Sequence, residues 1–379
     1  VNFAVTDDQQ LLWETTRKFL ETTVPPEAVR RLADDEPAGY EAEWWKRGAE
    51  LGWTSLLVPE DLGGGSVSGH GLLDLVLVAE ELGRSVAPGP LLPTNVVAEA
   101  IARWGSATQR EAVLPSLLEG TSVAAWCLAA PAAGLDPGPS GTVTARTKGD
   151  DLVLTGASGP VEAAGAADWL LVTAQAETGP VQALLPSETP GLEIVPAHSL
   201  DLVRRFAQVR LDGVEVAEGS VLAPSDPATA GDRVERQLRT AVVLQCADMA
   251  GALARVLEFT AEYAFDRYSF GRPLASYQAL KHRFADMRTW VEASFATADG
   301  AARAVDEDAA AASELVSVAK AYIGERGPGL VQDCVQLLGG IGTTWEHDIH
   351  LYLRRVVVDR SQLGTPAEHR ERVASLLDL

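Results

Sequence analysis

Cations are few in this chain of 379 residues: 31 Lys+Arg stand against 53 Asp+Glu, a formal net charge of −22, and only five of the cations are lysines. A surface of that sign repels polyanions, which excludes nucleic acid and an anionic membrane as expected partners. Cysteine is scarce too. Cys127, Cys246 and Cys334 are odd in number and far apart, so they read as small buried hydrophobes of a reducing compartment, not as a disulfide framework or a zinc site. No stretch of about 20 apolar residues is free of charge, so no segment is expected to span a membrane. The start carries Asp7 and Asp8 and no Lys or Arg through Gln10, unlike a targeting peptide. A cytoplasmic protein is the expectation.

At roughly 150 residues per domain, the length suggests two or three domains, and the pattern divides into three regions. Residues 1–121 read as an N-terminal α-helical domain. Thr6 with Asp7 and Asp8 starts a helix carrying Leu12, Phe19 and Leu20. A second apolar stretch, Leu72 to Leu82, stops at Gly83, a good left-handed cap. The intervening Pro59–Gly65 loop lacks the Gly-Lys-Ser/Thr ending of a phosphate-binding loop. Residues 122–226 read as an antiparallel β-barrel or sandwich, with runs at Thr142–Ala145, Leu152–Leu154, Trp169–Val172 and Phe206–Leu211 between Gly, Pro and Asp. Residues 227–379 read as a helical bundle. Its first helix, predicted over 231–266, is apolar nearly all round, and the next places Tyr277, Leu280, Phe284, Met287 and Val291 at spacings of three and four.

Two segments of the last region are unusual for plain bundle helices. One is Arg267-Tyr268-Ser269-Phe270-Gly271-Arg272-Pro273-Leu274, continued by Tyr277-Gln278-Ala279-Leu280-Lys281-His282; the other is Gln336-Leu337-Leu338-Gly339-Gly340-Ile341-Gly342-Thr343-Thr344-Trp345. An Arg at a helix–loop junction pairs with a pyrophosphate through its planar fork. A nearby Phe covers an adenosine, and a Gly-Gly pair lets backbone amides approach an anion. With the Pro59–Gly64 loop and the helix–β–helix order, these segments resemble the acyl-CoA dehydrogenase family over essentially the whole chain. The resemblance implies an α+β fold: an N-terminal helical domain, a middle antiparallel β domain and a C-terminal four-helix bundle that carries the FAD-binding and oligomer interface. It assigns the ADP half of FAD, bound on a neighbouring subunit, to Arg267, Ser269, Phe270, Leu274, Gln278, Gln336, Gly339 and Gly340.

The departures from the family are as specific as the matches. The reaction needs a carboxylate to take the α-proton while a hydride leaves the β-carbon for the flavin. At the two family positions for that base stand Leu363, in Gln362-Leu363-Gly364-Thr365, and Ala241. Asp248 lies two turns along the same helix as a substitute. The flavin-ring segment reads Ala129-Ala130-Pro131-Ala132-Ala133-Gly134-Leu135-Asp136, without hydroxyls, and Pro160-Val161-Glu162 stand where an aromatic platform is usual. Losing the platform and gaining a carboxylate both weaken ring binding.

Residues used on a subunit's own site are missing, while those lent across an interface persist. That resembles the base-lacking subunit of actinobacterial α2β2 acyl-CoA dehydrogenases of steroid side-chain type. The resemblance then implies a paralogous partner carrying the catalytic Glu, a bulky acyl-CoA substrate and an electron-transfer flavoprotein as acceptor. Two alternatives stay open: a self-sufficient homotetrameric oxidase or monooxygenase, and a flavin-free binding or scaffolding protein.

Other signals read as structural. His347 and His350 lack a third metal ligand nearby. His282 reads as a bundle or cofactor-edge residue, Cys246 as core, and the stripe Arg233, Arg236, Arg239 as a solvated or interface face, with a CoA phosphate as the other reading.

Overall fold

A computed structural model of the chain describes residues 5–35, 38–129, 142–222 and 227–379. Thr6 caps α1 (Asp7–Thr23) through a capping box with Gln9, as the local pattern predicts. The Gln9 amide also donates to Asp74 Oδ1 at 2.8 Å, which ties α1 to α4 (Gly71–Arg84). Between them lie α2 (Pro26–Asp35) and α3 (Ala42–Glu50), and α5 (Leu91–Trp104) and α6 (Ala107–Leu118) complete the first layer. Trp53 packs edge-on against Phe19 and Trp44, Phe19 stacks on Trp44, and Trp45 tilts against Trp53 in its core, so these tryptophans serve packing.

The middle region is one sheet in the order β1-β4-β2-β3-β7-β6, with β5 paired to β4. Its strands are β1 (Ala124–Leu128), β2 (Val143–Lys148), β3 (Asp151–Glu162), β4 (Trp169–Ala176), β5 (Gly179–Pro186), β6 (Leu192–Ala197) and β7 (Phe206–Val216). All four predicted runs are strands. The sheet is mixed, however, and not antiparallel: β1 and β4 run parallel from Ala124↔Trp169 to Leu128↔Thr173. Alternation along a strand reports which face is buried and says nothing about a neighbour's direction.

The bundle begins with α7 (Pro227–Asp266), 40 residues long. It is long and apolar enough to cross a bilayer, but its most apolar window is almost wholly buried by protein. The helices α8 (Gln278–Asp306), α9 (Ala312–Leu338), α10 (Ile349–Ser361) and α11 (Pro366–Leu376) pack around it. Gly83 proves not to be a cap. It lies inside α4 facing α7, where a Cβ would stand 1.9 Å from the Asp248 carbonyl oxygen; one on Gly251 would stand 1.8 Å from that of Glu80. Two glycines thus bring the N-terminal helices and the bundle into backbone contact. All three cysteines are free and buried.

Candidate functional site

Two sites stand out, one projecting and one concave. The first grows from the end of α7. Beyond Asp266 the two-residue strands β8 (Tyr268–Ser269) and β9 (Arg272–Pro273) pair antiparallel. Their turn, Phe270-Gly271, has φ of +50° and +81°, the two consecutive left-handed residues of a tight hairpin. Glycine adopts this freely, whereas for Phe it costs roughly 1–2 kcal/mol. The Phe270 ring is 98% exposed at the tip. The Tyr277 hydroxyl donates to the Ser269 carbonyl at 2.7 Å, and the Arg272 guanidinium lies 3.9 Å over the Tyr277 ring. A strained, braced hairpin thus presents an aromatic side chain to solvent. Arg267 and Gln278 are exposed beside it, while Ser269 and Leu274 are half-buried.

The second predicted segment closes α9. Gly339 has φ +68° and ψ −138°, a conformation that only glycine holds without strain. Gln336, Gly339 and Gly340 are exposed, and a Cβ on either glycine would meet nothing within 4 Å. Arg283 on α8 pairs with Asp333 on α9, and Cys334 Sγ lies 3.8 Å from Met287 Sδ. The first turns of α8 therefore lie along the last turns of α9, and both segments reach the same end of the bundle. Phe265, Tyr268, Ile341 and Trp345, in or beside the two segments, are also large apolar side chains left exposed.

The concave site is a cavity of about 430 Å³ between the sheet and the bundle, walled by Trp126, Pro160, Val161, Leu238 and Leu363 among others. Behind it lies a buried ion network. Arg204 reaches Asp359 at 2.6 Å and Asp248 at 2.9 Å, and Arg355 joins Asp201 and Asp248. Buried Lys320 donates to Gln245 and to the carbonyls of Asp359 and Gln362; burial draws its pKa down to about 8.

Family models decide what these sites belong to. The acyl-CoA dehydrogenase N-terminal domain matches residues 6–121, and the C-terminal domain matches residues 232–377. Acyl-CoA dehydrogenase IpdE2 of Mycolicibacterium smegmatis is 31% identical over 97% of this chain and 98% of its own length. The chain belongs to the acyl-CoA dehydrogenase family. Among solved structures, the ChsE4-ChsE5 complex from Mycobacterium tuberculosis matches at a TM-score of 0.88 with 27% identity, covering 100% of this chain and 99% of that one. A steroid ACAD, Tcur3481-Tcur3483, matches at 0.86 with 28% identity and 99% of both chains covered.

The two positions expected for a base carry no carboxylate, and the carboxylates at or behind the cavity among the described residues are engaged by other groups. Leu363, with φ +56°, is part of the cavity wall, and Ala241 is buried inside α7. Asp248 is paired through Oδ2 with Arg204 and Arg355 and is not part of the cavity wall. Glu368 also borders the cavity, but its carboxylate accepts from the Thr365 amide at 2.6 Å and hydroxyl at 2.7 Å. Those bonds hold its pKa below the usual range. Glu162 is raised by burial against the pull of Arg204, and it follows Pro160 and Val161 on the wall expected to face a ring. Of the segment Ala129–Asp136, only Ala129 lies within the described residues; it is buried.

Sequence reasoning passed over Lys320 and Arg355 and gave Glu368 and His369 no individual role. Thr365-x-x-Glu368 is a legible capping box, and Lys320 is conspicuous as one of five lysines, set in an apolar helix. No group of three metal-ligating side chains occurs among the described residues. His347 Nδ1 accepts from the Ile349 amide, and His350 stacks on Trp345 at 4.4 Å. His282 is exposed.

His369 yields a pH prediction. Its Nε2 lies 2.8 Å from the Leu363 carbonyl, which only accepts, so Nε2 carries the hydrogen and the buried ring is neutral. Burial depresses its pKa from 6.5 to about 4. The unfolded chain therefore binds the extra proton first. The stabilising contribution is complete above about pH 6.5 and is lost as pH falls toward 4, roughly 2 kcal/mol of it by pH 5. Denaturant midpoints at pH 7 and pH 5 should differ more in the native protein than in His369→Gln. Parallel pH curves for the two proteins would count against this assignment.

Proposed function

We propose that this chain is the base-lacking subunit of a heteromeric FAD-dependent acyl-CoA dehydrogenase. A paralogous partner holds the flavin ring, the acyl-CoA and the catalytic Glu. This chain lends the ADP-side pocket across the interface: Arg267 on the pyrophosphate, Phe270 over the adenosine, and Gln278, Gln336 and the open Gly339-Gly340 amides along the polar edges. Ser269 and Leu274 support the hairpin from beneath. The observation that carries this reading is the hairpin itself. A non-glycine residue held at positive φ with its ring wholly in water is costly alone, and burying a Phe side chain against a ligand and partner returns about 1.5–3 kcal/mol.

The donor set fits the ADP half of FAD, while Pro160, Val161 and buried Glu162 fit a flavin ring poorly. When bound, the cofactor accepts the hydride from the β-carbon, and the complex converts an acyl-CoA to its trans-2-enoyl-CoA. The named pair in the ChsE4-ChsE5 complex and the steroid ACAD support a two-chain assembly acting on a bulky, steroid-type acyl-CoA. We place the assembly in the cytoplasm with an electron-transfer flavoprotein as acceptor, and divide the chain at residues 121 and 226.

The test is flavin stoichiometry from visible absorbance with mass from light scattering. The chain purified alone should carry little flavin, and the complex co-expressed with its partner one FAD per two chains. One FAD per chain in a homotetramer would overturn the reading in favour of a self-sufficient flavoenzyme.

A further inference from the structure

The stripe Arg233, Arg236, Arg239 on α7 has no part in either site above. Leu238 and Gln245 of α7 face the cavity, whereas the three arginines line a second, open cleft of about 430 Å³. The end of α5, with Arg103 and Trp104, and Asp308 beyond α8 form its other walls.

The three arginines meet different fates. Arg236 is buried and donates Nε and Nη2 to Glu99 at 3.0 and 2.8 Å, with Asp308 at 3.0 Å from Nη1. Arg103 takes the same Glu99 oxygen at 3.0 Å, and Thr240 takes the other, so one carboxylate serves two guanidinium groups. Arg239 lies 3.8 Å from Glu235, which is already engaged by Arg372 and Ser313. Its buried Nε has no hydrogen-bond partner. Among the described residues, Arg233 reaches the Leu222 carbonyl at 3.4 Å and the Thr229 hydroxyl at 3.5 Å. With Asp232 on the rim and Asp306 acting on Arg236, five guanidinium groups gather here in a protein whose net charge is −22. Burial, with Arg236 and Arg372 nearby, lowers the pKa of Arg239, as expected for a cation short of a counter-charge.

We propose that this cleft is a binding site for a phosphate monoester, with Arg233 and Arg239 as its two donors. Guanidinium forks match phosphate oxygens in pairs. The volume exceeds that of a phosphate alone, and Trp104 offers an apolar wall for a group attached to it. The source is either free phosphate or the phosphoryl group of a nucleotide.

Titration calorimetry on the protein with its co-expressed partner tests this, using inorganic phosphate and AMP at ionic strength fixed with sodium chloride. Saturable binding should weaken at least roughly tenfold in Arg233→Ala, the loss of one charge-assisted pair. Arg239→Ala should do the same. Among the described residues Arg233 pairs with no carboxylate, so its variant keeps the native unfolding midpoint and separates lost binding from lost fold. AMP binding tighter than phosphate, and weakened by Trp104→Leu, identifies the nucleotide; equal binding identifies free phosphate. No saturable heat, or the same affinity in Arg233→Ala, overturns the proposal. So does a response that vanishes only in Arg267→Ala, because it belongs to the dinucleotide patch.

Discussion

Replacing Arg267 with alanine is expected to strip FAD from the assembled complex while leaving the chain folded. The Arg267 guanidinium is exposed and has no partner within its own chain among the described residues; its backbone alone is engaged, through the Tyr263 and Leu274 pairings. Truncation therefore removes no intramolecular contact, and the unfolding midpoint should move by less than about 0.5 kcal/mol equivalent. The charge-assisted bond to a pyrophosphate is worth about 1.5–3 kcal/mol, or roughly a ten- to hundredfold loss in flavin affinity. Gel filtration of the complex followed by its flavin-to-protein absorbance ratio reads this directly. Full FAD retention would remove Arg267 from the pocket, and with it the main donor in the proposed interface.

Arg355→Ala should be the most destabilising single substitution in the ion network. Arg355 is fully buried and links Asp201, before β7, to Asp248 on α7. Burial alone would raise the pKa of Asp201, but Arg355 and Arg204 outweigh it and hold the carboxyl below its usual range. Alanine leaves Asp201 and Asp248 buried with Arg204, which Asp359 and Glu162 also share, a loss of about 3–5 kcal/mol. Urea midpoints at pH 7 measure it. A double variant, Arg355→Met with Asp201→Asn, should recover part of the loss, because uncharged partners of similar volume need no counter-ion. A loss below about 1 kcal/mol for Arg355→Ala would mean that water already screens the network. The consequence reaches the cavity, since Arg204, Asp359 and Lys320 of the same network anchor the end of α10 that leads to Leu363.

Legibility followed sequence distance. The Thr6 cap depends on a residue three positions away, and α7 on a mostly apolar stretch without internal proline. Both were readable. The two unusual segments of the bundle stood out as well, because the Arg267–Leu274 hairpin and the Gln336–Gly340 turn are each contiguous. Gly83 was misread because a glycine that ends an apolar run and a glycine that meets another helix look alike in sequence; only the Asp248 carbonyl, 165 positions away, tells them apart. The parallel β1–β4 pair joins residues 45 apart, and no local pattern encodes the direction of such a partner.

The sequence by itself determined the order of the three regions and the absence of a carboxylate at positions 241 and 363. These follow from residue identity and near-neighbour spacing. Only the tertiary structure decided that Asp248 is bound by Arg204 and Arg355, that the Arg233–Arg239 stripe splits between a buried pair and an open cleft, and that Phe270 stands in water at positive φ. Each depends on which charges and surfaces meet across long stretches of chain. The energy of a buried charge is set by its neighbours in space, and one-dimensional spacing carries no record of them.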